Sequence, residues 1–128
     1  MANVLVVDDS AFSRMHNAAI VKELGHEAIE AADGAQAVQA YKSNKPDAVL
    51  MDITMPGMDG LDALKAILAF DPDARVAMVT AMGQQSIVME AIQSGARDFV
   101  VKPFGPDRLK DALTRLVGQT PAQVEAGT

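Results

Sequence analysis

Short apolar runs alternate with amphipathic stretches five times along the chain. The runs are Val4-Leu5-Val6-Val7, Ala28-Ile29 with Ala31, Ala48-Val49-Leu50-Met51, Val76-Ala77-Met78-Val79 and Phe99-Val100-Val101. Their hydrophobicity is continuous, as expected of strands covered on both faces in a parallel sheet. The segments between them carry helical spacing. In the last, Leu109, Ala112, Leu113, Leu116 and Val117 form one stripe at i, i+3, i+4, i+7 and i+8. Leu61, Leu64 and Leu68, with Ile67, do the same in the third.

The residues between these elements agree. Gly25 and Gly95 fall where helices should stop, because glycine tolerates positive φ. Pro106 suits the first turn of the last helix, and Asp107 its positive end. Pro46-Asp47 and Pro72-Asp73 mark the turns into the third and fourth strands. The second strand carries Glu27 and Glu30, which fit a sheet edge better than its centre. Five β-α units predict an α/β three-layer sandwich with right-handed crossovers, filling residues 1–118. Residues 119–128 have no periodicity and are expected to be a disordered tail or a linker stub.

Composition narrows the function. Apolar residues make up 49% of the 128, enough for a globular core. With no cysteine, disulfides, thiolate metal sites and thiol nucleophiles are excluded. The net charge of -6, with no local basic patch, argues against direct binding to nucleic acid or to anionic membranes. Val4 to Val7 is too short for a signal peptide or a membrane span, so the expectation is a cytoplasmic protein with no membrane insertion.

Ligands of open α/β sheets bind beyond the carboxyl ends of the strands. The first run ends in Asp8-Asp9, the third in Asp52, the fourth in Thr80 and the fifth in Lys102-Pro103. Taken singly, each has an ordinary explanation: a cap, a turn, a β-branched strand residue or a solvated charge. Together they put three carboxylates, a hydroxyl and an ammonium on one rim. Crowded carboxylates hold a proton or bind a cation. A site of hard oxygens without His or Cys points to Mg²⁺, or to Mn²⁺. With Asp8 and Asp9 on the metal, Asp52 is left as a nucleophile toward a phosphoryl group, with Lys102 and Thr80 to meet its oxygens.

The strings Val6-Val7-Asp8-Asp9-Ser10, Met51-Asp52-Ile53-Thr54-Met55-Pro56-Gly57-Met58-Asp59-Gly60 and Val101-Lys102-Pro103-Phe104, with Thr80 between, resemble the receiver domain of bacterial response regulators. The likeness runs from Asn3 to about Val117 and is greatest to the single-domain chemotaxis members. It implies a flavodoxin-like strand order, 2-1-3-4-5. It also implies that Asp52 accepts a phosphoryl group from a sensor histidine kinase, and that Asp8, Asp9, Asp52 and the backbone carbonyl of Thr54 hold Mg²⁺. By the same resemblance Lys102 pairs with Asp52, Thr80 and Phe99 form a coupled switch, and the Lys102-Pro103 bond is cis. Such a domain is a phosphoacceptor switch and not an enzyme acting on other substrates. Its downstream protein target would dock on the face of the fourth helix, fifth strand and fifth helix. Thr54 and Met82 replace the Asn and the acidic residue familiar in fast-cycling chemotaxis members, so a long-lived phosphorylated form is expected.

The fourth helix carries Ile87, Val88, Met89, Ala91 and Ile92, which suits either a deeply packed helix or a docking patch. His16 and His26 have no carboxylate pattern around them and are expected at the surface or at helix ends. Gly57 and Gly60 are expected to serve a turn and not a phosphate-cradling loop. An alternative is a receiver within a longer transcriptional or output regulator. A Mg²⁺-dependent aspartyl phosphatase of the haloacid dehalogenase type needs a second Asp two residues after the first, where Thr54 stands. A flavodoxin-like FMN carrier needs aromatics that this chain, with no Trp and one Tyr, does not have.

Overall fold

The computed structural model describes residues 2–53, 55, 57–81 and 83–118. Thr54, Met82 and residues 119–128 therefore lie outside it, and with them the expected tail. Strands and helices alternate strictly: β1 (Asn3–Val7), α1 (Ala11–Glu23), β2 (Glu27–Ala31), α2 (Gly34–Asn44) and β3 (Ala48–Asp52). Then come α3 (Gly60–Phe70), β4 (Val76–Thr80), α4 (Gln85–Ser94), β5 (Asp98–Val101) and α5 (Pro106–Gly118). All strand pairings are parallel, in the order β2-β1-β3-β4-β5. Glu27 and Glu30 thus lie on an edge strand, as their charge suggests.

The continuous apolar runs are explained by two cores, one on each face of the sheet. Leu5, Val7, Val49, Met51 and Met78 face α2, α3 and α4, where Tyr41, Leu64, Ile67 and Val88 close the layer. Val4, Val6, Leu50, Ala77 and Val79 face α1 and α5, meeting Ile20, Val21, Leu109, Leu113 and Leu116. Successive strand residues point to opposite faces, so covering both faces makes every position apolar. Gly25 (φ 91°) and Gly95 (φ 122°) end α1 and α4 in the left-handed region, and Pro106 opens α5.

Tyr41 bolts α2 to the end of α3: its hydroxyl donates to Asp71 Oδ2 at 2.7 Å. Burial, then the bond to Asp71, push the phenol well above its ordinary value. The unfolded chain therefore loses this proton first as pH rises through about 10, so the group's contribution to stability is present below that pH and is lost above it. Tyr41→Phe should cost about 1 kcal/mol at neutral pH and make the alkaline loss of stability shallower, measured by urea melts from pH 7 to 11. Tyr41 is the only tyrosine, so tyrosinate absorbance reports it alone. Wild-type and variant melts that fall in parallel above pH 10 would contradict this.

At the other edge, β5 is trimmed by side chains. The Phe99 N–H donates to Asp98 Oδ1 at 2.8 Å, and the Phe99 carbonyl accepts from Arg108 Nη2 at 2.5 Å. Arg108 and Arg115 flank Asp98 at 3.6 and 3.8 Å.

Candidate functional site

The rim residues arrive by a common device. Each strand carries its hydrogen-bond ladder to the point where the chemistry begins. Asp8 N–H donates to the Ala31 carbonyl, Ile53 N–H to Val79 and Lys102 N–H to Thr80. Val7 pairs with Met51 and Asp52 with Val79, so the carboxyl ends of β1, β3 and β4 stand side by side.

Asp8, Asp9 and Asp52 each present a carboxylate oxygen, and these oxygens all lie within 4.8 Å of one another. Asp8 and Asp52 are buried and Asp9 is exposed, so the cluster opens to solvent on one side. Asp8 is held most firmly. Its Oδ1 accepts from the Ser10 N–H at 2.9 Å, and its carbonyl accepts from Arg14 Nη1 at 2.8 Å. Lys102 Nζ lies 3.3 Å from Asp8 Oδ2 and 3.9 Å from Asp52 Oδ1. The expected pairing of Lys102 with Asp52 is present, but the shorter contact goes to Asp8, the more deeply buried carboxylate. The Lys102-Pro103 bond is cis.

One ammonium against three carboxylates leaves the pocket short of positive charge. Hard oxygens at this spacing, partly open to water, fit a Mg²⁺ ion that keeps some of its waters. Asp9→Ala should raise the melting temperature in metal-free buffer by a few degrees, because it relieves like-charge crowding without opening the core. Mg²⁺ at about ten times its Kd should raise the wild-type melting temperature by roughly 3–6 °C and leave the variant unmoved. An equal Mg²⁺ shift in both proteins would remove Asp9 from the site.

Thr80 is buried at the end of β4, and its hydroxyl donates to Gln84 Oε1 at 2.8 Å, with the Ala81 carbonyl at 3.0 Å. Phe99 does not share that burial: it is 39% exposed and lines a groove of about 490 Å³ between α4 and β5. Val88, Met89 and Ile92 form the α4 side of this groove. On α4 itself Val88 and Ala91 are buried, whereas Met89 is 62% and Ile92 42% exposed. The helix is therefore not deeply packed all round, and its surplus apolar residues face outward. His16 lies on the exposed face of α1, stacked over Phe12, and His26 Nδ1 accepts from the Ala2 N–H.

Gly60 was expected to serve a turn, and the structure corrects that. Gly57 does so, at φ 75°, but Gly60 is the first residue of α3. A Cβ at Gly60 would fall 2.1 Å from the Asp52 carbonyl oxygen and 2.8 Å from Ile53 Cα. The missing side chain lets α3 start directly against the end of β3. Gly34 lets the start of α2 close against the segment between β3 and α3, where a Cβ would meet the Met58 carbonyl oxygen at 2.4 Å. The sequence does not single out Gln84. The available signal was an amide side chain four residues after a strand-end hydroxyl.

Comparison with known proteins agrees with this geometry. The response regulator receiver domain family matches residues 4–114. The chemotaxis protein CheY of Thermotoga maritima is 53% identical over 114 residues, 88% of this chain and 95% of that protein. The chemotaxis protein CheY of Bacillus subtilis is 54% identical over 113 residues, 88% and 94% respectively. Among solved structures, a CheX-CheY-BeF3-Mg²⁺ complex from Borrelia burgdorferi superposes with a TM-score of 0.84 at 39% identity, covering 89% of this chain and 87% of that one.

Proposed function

The chain belongs to the family of response regulator receiver domains, and on that premise we propose that it is a phosphorelay switch phosphorylated on Asp52 and serving chemotaxis. The observation that carries this reading is the placement of Asp8, Asp9 and Asp52 within 4.8 Å of one another, with Lys102 against Asp8 and Asp52. A carboxylate oxygen of Asp52 attacks the phosphorus of a phosphohistidine on a sensor histidine kinase. The P–N bond breaks, its electron pair leaves with the imidazole, and an acyl-phosphate remains on Asp52. Lys102 shifts its charge toward the new phosphoryl oxygens, and Thr80 offers them a hydroxyl proton. Asp8, Asp9, Asp52 and the carbonyl of Thr54 (a residue outside the described ones) would hold Mg²⁺, which when bound supplies positive charge to the transferring oxygens.

The relatives support the chemotaxis assignment, being chemotaxis proteins themselves. The Borrelia relative, crystallised with CheX, BeF3 and Mg²⁺, supports both a metal-assisted site and a protein partner. The downstream target docks on the face of α4, β5 and α5, where Met89, Ile92 and Phe99 are exposed. Among the described residues no helix is long and apolar enough to cross a membrane. The chemotaxis relatives and the net charge of -6 support a cytoplasmic switch that acts on proteins and not directly on nucleic acid. Phosphorylation modifies the chain itself, so the protein is not an enzyme with a separate substrate.

Intact-mass spectrometry after incubation with Mg²⁺ and a small acyl-phosphate donor tests the proposal. A gain of about 80 Da, absent without Mg²⁺ and mapping to the peptide that contains Asp52, is the expected result. No gain, or a gain on another peptide, would overturn it.

A further inference from the structure

Gln84 joins the Thr80 hydroxyl to the start of α4. Its Oε1 accepts from Thr80 Oγ1 at 2.8 Å and from the Ala81 N–H at 2.9 Å. Gln84 is also the N-cap residue of α4, yet its side chain makes no capping bond to that helix. The contrast with the preceding helices is clear. Ser10 caps α1 through Ser13, Asp33 caps α2 through Gln36, and Asp59 caps α3 through Asp62. All three cap residues have extended backbones, whereas Gln84 sits at φ −108°, ψ 32°. The first turn of α4 carries no acidic side chain, a feature it shares with α1 and α2. Its Oε1 is committed backward to the end of β4, and the helix start is left without a side-chain cap.

We propose that Gln84 is a positioning residue, a latch that holds the Thr80 hydroxyl in competition with a phosphoryl group on Asp52. The proposal rests on the reading that Asp52 is phosphorylated. The Thr80 hydroxyl has one proton and donates one strong bond at a time. Phosphoryl oxygens are the stronger acceptor, because a bond to an ionised group outweighs one to a neutral amide. The backbone of Thr80 is anchored meanwhile, with its carbonyl accepting from the Lys102 N–H at 2.7 Å. What changes is therefore the side chain, and the loss is felt by Gln84. Thr80, Gln84, Gln85, Met89 and Phe99 all line the α4–β5 groove. A latch that opens at Thr80 thus alters the wall of that groove directly, at the least capped helix start of the four whose caps are described.

Two variants separate a latch from a cap. Asn is among the best N-cap residues and Ala among the poorest, so for helix capping alone Gln84→Asn and Gln84→Ala act in opposite directions. Both shorten the side chain and break the bond to Thr80, so as a latch they act alike. The expected result, without donor, is that both variants shift the amide NMR signals of Gly83 to Gly95 toward their positions in phosphorylated wild type. With Mg²⁺ and a small acyl-phosphate, both should label on Asp52 roughly 2- to 10-fold faster, the range one net hydrogen bond commands. Amide shifts of opposite sign in the two variants would make Gln84 a capping residue and overturn the latch. So would unchanged shifts and rates in variants of a wild type that labels normally on Asp52. A wild type that takes no label on Asp52 would overturn the phosphorylation reading itself, and the latch with it.

Discussion

Asp52→Asn is expected to take up no phosphoryl group, from either a phosphohistidine or a small acyl-phosphate. The substitution keeps the shape of the side chain and removes the anionic oxygen that would attack phosphorus. It leaves the rest of the site in place, since Lys102 retains its contact with Asp8 at 3.3 Å and Asp8 its bond from Ser10. The fold should persist, with a melting temperature equal to or above that of the wild type, because one of three crowded charges is gone. Loss of labelling with retained stability is the signature of a lost nucleophile and not of a damaged domain. Intact-mass measurement before and after donor addition reads the first, and a thermal melt the second. A variant that still gains about 80 Da at the wild-type rate would move the acyl-phosphate to another residue.

Gly60→Ala should be more damaging than a methyl group added at any other glycine whose surroundings the structure describes. Its Cβ would lie 2.1 Å from the Asp52 carbonyl oxygen and within 3 Å of two further backbone atoms, Ile53 Cα and the Asp52 carbonyl carbon. Backbone cannot rotate aside as a flexible side chain does, so α3 must lift off β3. Overpacking of this kind costs about 3 kcal/mol, at the upper end of the usual range. The atoms displaced belong to Asp52 itself. Even where the variant folds, its labelling rate should therefore fall by at least about tenfold, because a small misplacement of a reacting group is costly. Urea melts and intact-mass kinetics measure the two effects. Near-native stability together with near-native labelling would show that α3 relaxes without moving Asp52.

The fold was legible because strands buried on both faces announce themselves as unbroken apolar runs, and each run found its strand to within one residue. The edge position of β2 followed from Glu27 and Glu30 for the same reason, since charge is tolerated where one side of a strand is open. The acidic cluster was legible because strand ends converge in a parallel sheet, so residues far apart in sequence become neighbours by topology alone. The role of Gly60 is hidden in the sequence because it lies in what stands opposite, the end of β3, and nothing local distinguishes that from a turn. Gln84 was silent because a side-chain amide bends whichever way the nearest donor lies. The fourth helix left packing and docking open, and only its placement over the sheet separated Val88 and Ala91 from Met89 and Ile92.

The treatment of the β5 edge bears on how the protein associates. An edge strand ordinarily offers free N–H and C=O groups on which a foreign strand can extend the sheet. At Phe99 both are already occupied, by the carboxylate of Asp98 and the guanidinium of Arg108. A strand approaching there would have to displace a paired acid and base before it could bond to the backbone of Phe99. The pairing at Phe99 thus favours contacts made through side chains, in the groove beside it. The same aromatic ring can then be offered to a partner without the strand beneath it becoming a seed for sheet-to-sheet aggregation.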